Sequence, residues 1–529
     1  MITRRTFIKN MSLASGALVL NPFNHRLFGN TAGQFFALHP FIENNPDAVF
    51  IMRTNVDSKL NSDALKQAGL DFGRSVFMNT DDEATGTPLD NAFAIKPNLT
   101  SRGTWERGYT VEGTMGVITD AHFVEGTIES MKEIGISSDN IAIREVNGTE
   151  NLTDGGYGDM ADRTGADVQI IPTPIGTISE NKIQWVDVPD GVWFNRIPFL
   201  DPVHRPGSWL LNISKFKTHS MGLTLCAKNI QGTIAAKYQQ HCTDYNSKMS
   251  INADHINSDA FVKIKANYDR HVADGVPRWD VPGWSVAGGL GMETWASRCL
   301  DNNSVTKPGL HVIEGVYGRD GDFVVGPHDG LAMDYMTNVI IFGKNAFNVD
   351  NVGHWLAGHE PGNFGLFHLA LERGLTSVLN PLDIPIYEWK NDSTATLTPL
   401  DSFERTLLVT NYLQKDGEEF WHMCDEPFLY PTSIEAEKIQ KPSSYVLMQN
   451  YPNPFNPSTT IQFNLSENGN VKLDIFNSQG TVVDVLAEGH FSRGSHMVVW
   501  NSKNLPSGTY FYRLHAGAFN QTRKMLLLK

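Results

Sequence analysis

Between residues 92 and 213 short apolar runs alternate with a stretch of helical periodicity, and this order limits the fold more than any other feature. Residues 92–95 (AFAI) are apolar and end in Lys96-Pro97-Asn98. Residues 120–134 place Phe123, Val124, Ile128, Met131 and Ile134 at helical spacing. Asp120 is available to cap the start of that helix and Gly135 to end it. Strand-like runs follow at residues 141–145, 168–171 and 209–213. Strand, helix, strand in this order predicts right-handed crossovers, and so an α/β central domain with a mainly parallel sheet. Such sheets bind ligands beyond the carboxyl ends of their strands. The residues to weigh are then Lys96 and Asn98, Glu145 and Asn147, and Lys215 through His219.

The densest polar stretch is SKFKTHSMGLTLCAKNIQGTI, residues 214–234. Lys217 and Lys228 suit the neutralisation of a phosphate, carboxylate or other oxyanion. A partly buried lysine also serves as a base or forms a Schiff base. His219 suits proton transfer or metal binding. Asn229 and Gly232 allow backbone amides to approach a ligand closely. Isolated lysines are ordinarily solvated; clustered past a buried strand, these predict a site. Lys217, His219, Lys228 and Glu145 are the candidate catalytic residues, and Lys96, Asn98, Asn229 and Gly232 the candidate ligand-binding residues.

Other chemistries have weaker support. The formal net charge is −15 and is carried by the body of the chain, because both ends are basic. An acidic body repels phosphate backbones and predicts no nucleic-acid partner. His354 and His359 are too far apart on a helix to share a face, and no H-E-x-x-H occurs. Glu145, Asp320, Asp322, Asp334 and Asp350 are hard oxygen donors without EF-hand spacing, and Asp320-Gly321-Asp322 reads as a glycine turn. Trp279, Trp284 and Trp295 fit either sugar stacking or core packing. No dinucleotide loop, G-x-S-x-G or Walker motif is present. Cys226, Cys242, Cys299 and Cys424 form no C-x-x-C pair; two disulfides, with Cys226 and Cys242 as the nearest pair, and four buried thiols both remain open.

The ends carry addresses. Residues 1–30 hold Arg4, Arg5, Lys9 and Arg26 with no acid, and an apolar stretch follows Lys9. That is an export signal too short to span a membrane, and no transmembrane helix is predicted elsewhere. Thr3-Arg4-Arg5-Thr6-Phe7-Ile8-Lys9 resembles a twin-arginine signal, which implies the twin-arginine translocase as a partner and a metal or other cofactor loaded before export. At the other end, residues 446–529 alternate short strand-like runs with turns such as Asn468-Gly469-Asn470 and Pro506-Ser507-Gly508. This predicts a small C-terminal antiparallel β-sandwich behind a linker at 441–445. YPNPFNPSTTI and LPSGTYFYRL closely resemble the sorting domain of type IX secretion cargo. The resemblance implies the type IX machinery as a partner, passage through the periplasm of a two-membrane bacterium, and release or attachment at the outer-membrane surface.

The middle resembles the domain-of-unknown-function family 362. Lys217-Thr218-His219 followed by Leu225-Cys-Ala-Lys228-Asn229-Ile-Gln-Gly232 carries the likeness, flanked by Ile95-Lys-Pro-Asn98 and by His311-Val-Ile-Glu314-Gly315. Residues 31–440 are assigned to this domain, with a core at 92–375 and an insertion at 235–305. Some relatives carry ferredoxin-type cysteine clusters, which this chain lacks. The resemblance implies an α/β fold and an enzyme or cofactor-binding role. The expected function is an extracytoplasmic cofactor- or metal-dependent enzyme, with redox chemistry among its options, acting on a small anionic substrate. The competing expectation is a surface protein that captures an anionic or sugar ligand without catalysis.

Overall fold

Strand Trp209–His219 lies near the middle of a ten-stranded sheet and has parallel neighbours on both sides. The computed structural model describes residues 34–99, 115–145, 155–170, 180–219, 222–235, 254–277, 289–323, 325–410, 427–430, 445–450, 453–466, 468–491, 494–502, 505–517 and 519–528. The expected export signal at 1–30, Asn147, Cys242, Cys424, Trp279, Trp284 and most of the expected linker lie outside the described residues. The chain divides into two compact units at Phe428/Leu429.

In the first unit the sheet strands, numbered in chain order, are β1 (Val49–Arg53), β2 (Phe93–Pro97), β3 (Ile141–Glu145), β4 (Asp167–Ile170), β5 (Trp209–His219), β6 (Gly222–Thr224), β7 (Leu310–Arg319), β8 (Asp334–Gly343), β9 (Ile386–Trp389) and β10 (Ala395–Leu397). Their lateral order is β10-β9-β1-β8-β7-β5-β2-β3-β4, with β6 folded back on the end of β5. The contacts β7–β5–β2–β3–β4 and β1–β9 are parallel, whereas β7–β8, β8–β1, β9–β10 and β5–β6 are antiparallel. The sheet is mixed and mostly parallel.

Side chains alternate between its faces. Phe93 and Ile95 of β2 and Leu211 and Ile213 of β5 enter one core, with helices α1 (Ser62–Val76) and α2 (Ala121–Glu133) packed over it. Helix α2 forms where the periodicity predicts: Asp120 accepts from the amides of His122 and Phe123, and Phe123, Val124, Ile128 and Met131 are buried. Ala94 and Leu210 enter a second core on the opposite face, with Trp193, Phe199, Ile230 and Ile264.

One sequence boundary moves. The apolar run ends at Ile213, yet β5 continues to His219. Its polar second half is strand because β6 and β7 pair with its backbone and because Lys215 finds Glu314 inside the protein. Lys96 and Glu145 likewise close β2 and β3 rather than following them. Within the expected insertion, helices α5 (Ala260–Ala273) and α6 (Gly289–Val305) form, and Trp295 is buried, which makes it a core residue.

The second unit holds two antiparallel sheets. One comprises β11 (Val446–Leu447), β12 (Ser458–Leu465) and β15 (Gly494–Asn501). The other comprises β13 (Gly469–Asn477), β14 (Val482–Phe491), β16 (Gly508–Ala516) and β17 (Phe519–Leu527). In β16, Tyr510, Tyr512, Leu514 and Ala516 alternate inward into a core with Phe463, Leu473 and Met525. Among the described residues no helix is long and apolar enough to cross a membrane.

Candidate functional site

Lys96 projects from β2 on the same face as Ala94 and is buried. Its ammonium donates to Glu145 Oε2 at 2.7 Å, Asn229 Oδ1 at 2.9 Å and the Pro97 carbonyl at 2.6 Å. Burial pulls its pKa down, and the Glu145 carboxylate opposes that pull. Asn229 sits in the short helix α4 (Cys226–Asn229; α3 is Tyr157–Thr164). Its amide nitrogen donates to the Lys96 carbonyl at 3.1 Å and to Asn212 Oδ1 at 2.8 Å. Asn212 Nδ2 in turn reaches the Cys226 carbonyl at 2.9 Å and His311 Nδ1 at 3.0 Å. Asn98 Nδ2 meets Asn229 Oδ1 at 3.3 Å. A polar thread therefore crosses the sheet from β7 through β5 and β2 to β3.

Gly232 closes this thread. A Cβ there would lie 2.3 Å from Glu145 Oε1 and 2.5 Å from Lys96 Cε, so no larger residue fits without displacing the pair. Behind it, Asp350 of helix α7 (Ala346–Leu356) accepts from the amides of Cys226 and Ala227 at 2.7 and 2.8 Å. Burial pushes the Asp350 pKa up to about 7 despite those bonds. Lys96, Asn98, Glu145, Asn229 and Gly232 are thus brought together in a well-bonded framework that fixes the turn carrying Lys228.

Lys217, His219 and Lys228 have a different environment. Lys217 is 1% exposed, and among the described residues its ammonium nitrogen has no hydrogen-bond partner. It lies 4.9 Å from the centroid of the Phe323 ring. The His219 ring meets the same phenyl edge-on at 5.1 Å and is 8% exposed. Lys228 is half-buried. Burial, then the Lys228 charge, draw the Lys217 pKa down to about 7; Arg319 adds to this and Asp322 opposes it. Burial and the charges of Lys228 and Lys217 hold His219 well below the usual imidazole range, so it is neutral. Lys228 also acts on Lys96, which links the two groups electrostatically.

This donor set suits an anion or an electrophile and repels a cation. Among the described residues no three His, Cys, Asp or Glu side chains gather as metal ligands. Asp320 is held by His328 at 2.7 Å and Tyr335 at 3.1 Å, and Asp334 by Lys59 and Arg319, both at 2.7 Å. The His354 and His359 rings are buried 6.1 Å apart, His359 Nε2 pairing with the Leu408 carbonyl at 2.7 Å. The Cys226 thiol rests 3.4 Å from Ser214 Oγ.

Sequence reasoning missed Asn212, His311 and Phe323. Asn212 and His311 sit inside the apolar stretches 209–213 and 310–313, a signal that marks polar cross-links in a core. Phe323 follows the Asp320-Gly321-Asp322 turn with a left-handed φ of 57°. Thr218 Oγ1 bonded to the Gly321 carbonyl at 2.6 Å and Arg319 Nε bonded to the Phe323 carbonyl, also at 2.6 Å, hold that turn against the strand.

Residues 93–354 match the family model described as a domain of unknown function (DUF362), and residues 449–528 match the secretion system C-terminal sorting domain. The candidate site lies inside the first match. The second marks the chain for a secretion machinery and for the cell surface or beyond. No curated protein matches the chain. Similar solved structures include dimeric latent PorU from Porphyromonas gingivalis, 21% identical, covering 16% of this chain and 9% of that one, with a TM-score of 0.14. PorZ, an essential surface component of the type-IX secretion system of the same organism, is 16% identical and covers 15% of this chain and 11% of its own, with a TM-score of 0.12. The chain thus spans only about a tenth of the length of either relative.

Proposed function

From a DUF362 domain at residues 93–354 followed by a secretion-system sorting domain, we propose an exported enzyme that acts on a small anionic substrate at Lys217, His219 and Lys228. The carrying observation is the Lys217 ammonium, buried without a hydrogen-bond partner beside a second lysine. Leaving such a group unsatisfied costs free energy that a bound anion returns. The neutral imidazole of His219 supplies a group for proton transfer. Lys96, Asn98, Glu145, Asn229 and Gly232 position the turn that presents Lys228.

The proposed route begins with the twin-arginine translocase at Arg4-Arg5 and continues through the periplasm to the type IX machinery. The two antiparallel sheets of the second unit form the sorting sandwich, and the product is released or held at the outer-membrane surface. The twin-arginine route carries folded cargo, so a metal or other cofactor enters before export. Elemental analysis and an absorption spectrum of protein matured in its own host test that loading. Replacing Arg4 and Arg5 by lysine should retain the protein in the cytoplasm, and removing residues 446–529 should retain it in the periplasm.

The site itself is tested by thermal shift with inorganic phosphate, sulfate and pyruvate. At least one should stabilise the wild type, and Lys217→Gln and Lys228→Gln should abolish the effect. If no anion stabilises the protein, or if both variants respond as the wild type does, the assignment of this cluster fails. Binding that persists with no substrate turned over favours the capture protein instead.

A further inference from the structure

Three buried lysines occupy neighbouring strands, and two of them are neutralised. Lys96 is bonded to Glu145 at 2.7 Å. Lys215 is bonded to Glu314 at 2.7 Å and rests 3.3 Å from the Tyr317 ring centroid. Lys217 is equally buried, but its nitrogen meets a phenyl ring and no acceptor. The strongest charge acting on it is the ammonium of Lys228, and Arg319 adds a second repulsion. Desolvation and like charge favour the uncharged amine, which keeps its lone pair for nucleophilic attack. Near neutral pH both forms coexist: the ammonium draws an anion in, and the free amine is able to attack it.

We propose that Lys217 is a catalytic nucleophile that condenses with the carbonyl of a small 2-oxo acid, whose carboxylate is held by Lys228. The inference rests on the anion-binding reading of the same cluster and adds the substrate class and the covalent step. The Lys217 nitrogen donates its lone pair to the carbonyl carbon, forming a C–N bond. The carbonyl oxygen takes up a proton and the nitrogen loses one, giving a carbinolamine. Departure of water, with its second proton taken from solvent and relayed through His219, leaves the protonated imine. Nothing is oxidised or reduced. The half-buried ring of Phe323 covers the amine, and its displacement admits the substrate.

The full chain is incubated at neutral pH with pyruvate and cyanoborohydride, which reduces an imine to a stable secondary amine. The expected result is one reduced pyruvyl adduct, mapped to the peptide carrying Lys217 and formed at least tenfold faster than adducts on exposed lysines such as Lys263 or Lys265. Pyruvate should label faster than acetone, which lacks the carboxylate, and Lys228→Met should remove that preference. Lys217→Arg should not be labelled at this peptide. No adduct at Lys217, or labelling no faster than at Lys263 and Lys265, overturns the inference. Where phosphate or sulfate still stabilises the protein, only the covalent step is lost; where neither binding nor labelling occurs, the anion-binding assignment falls with it. The comparison of pyruvate with acetone uses the wild type alone, so it stands even if a variant fails to fold.

Discussion

Lys215 and Glu314 face each other at 2.7 Å at paired positions of β5 and β7, with neither side chain exposed. Glu314 also accepts from the amides of Asp120 and Val316, both at 3.2 Å. Lys215 rests on Tyr317, whose hydroxyl donates to Asp120 at 2.7 Å. Burial raises the Glu314 pKa and the Lys215 ammonium opposes that rise. A buried pair gains little over an apolar pair, but removing one member strands the other charge. Glu314→Leu should therefore cost about 3–5 kcal/mol. Lys215→Met combined with Glu314→Leu should cost less than Glu314→Leu alone. Urea denaturation of the three proteins decides the matter; a loss in the double variant equal to or greater than that of Glu314→Leu would mean that no stranded charge is relieved.

Gly232→Ala tests the framework around Lys96. The new methyl collides with Glu145 Oε1 and Lys96 Cε, and relieving the overlap separates the pair or shifts the turn that carries Lys228. Overpacking of this kind costs about 1–3 kcal/mol. The variant should also lose anion-induced stabilisation, because Lys228 moves with the turn. Wild-type stability and unchanged anion response together would show that the turn has room.

The fold was readable where apolar residues mark the core. The apolar run at 92–95 announces β2, which is buried on both faces, and Phe123, Val124, Ile128 and Met131 announce α2 by period, because that helix has one face in the first core. The second half of β5 was not readable. Ser214, Lys215, Lys217 and Thr218 look like a loop to any hydropathy argument, since their burial depends on partners more than 90 residues away, as Glu314 is from Lys215. Short patterns likewise place Lys96 and Glu145 near strand ends and Asn229 in a polar stretch but cannot say that they bond to one another and leave Lys217 apart. That distinction arises only when β2, β3 and β5 lie side by side.

The reactivity of Lys217 should follow an unusual pH profile. Its pKa lies near 7 rather than at the usual 10.5 for lysine, so the uncharged amine dominates above neutrality. Acylation of the Lys217 peptide, followed by mass spectrometry, should rise through about pH 7 and then level off. Lys228→Met removes the strongest like charge and should move the profile to higher pH. Asp322→Asn removes the opposing carboxylate and should move it to lower pH. A wild-type profile that still climbs at pH 10, like that of an exposed lysine, contradicts the description of the site.

Helices α5, α6 and α8 (Gly365–Glu372) meet at His271, and their contact should make stability depend on pH in a definite direction. His271 Nδ1 pairs with Glu293 at 2.9 Å and Nε2 with Glu372 at 3.1 Å. Burial alone would lower the histidine pKa, but the hydrogen bonds to Glu293 and Glu372 carry it up to about 9. Its folded pKa is above the ordinary 6.5, so its stabilisation is complete below 6.5 and is lost as pH rises through about 9. Glu372 is held down to about 2 against burial, by His271 and Arg270. Its contribution is present above the ordinary 4.5 and is lost as pH falls through about 2. The two windows overlap between about pH 4.5 and 6.5, where the contact is strongest. His271→Gln should lower stability by about 1–3 kcal/mol in that window and should flatten the decline toward alkaline pH. Urea midpoints of wild type and variant, measured from pH 5 to about pH 10, give the difference directly. If the two curves stay parallel across that span, His271 is not carrying its proton in the folded protein.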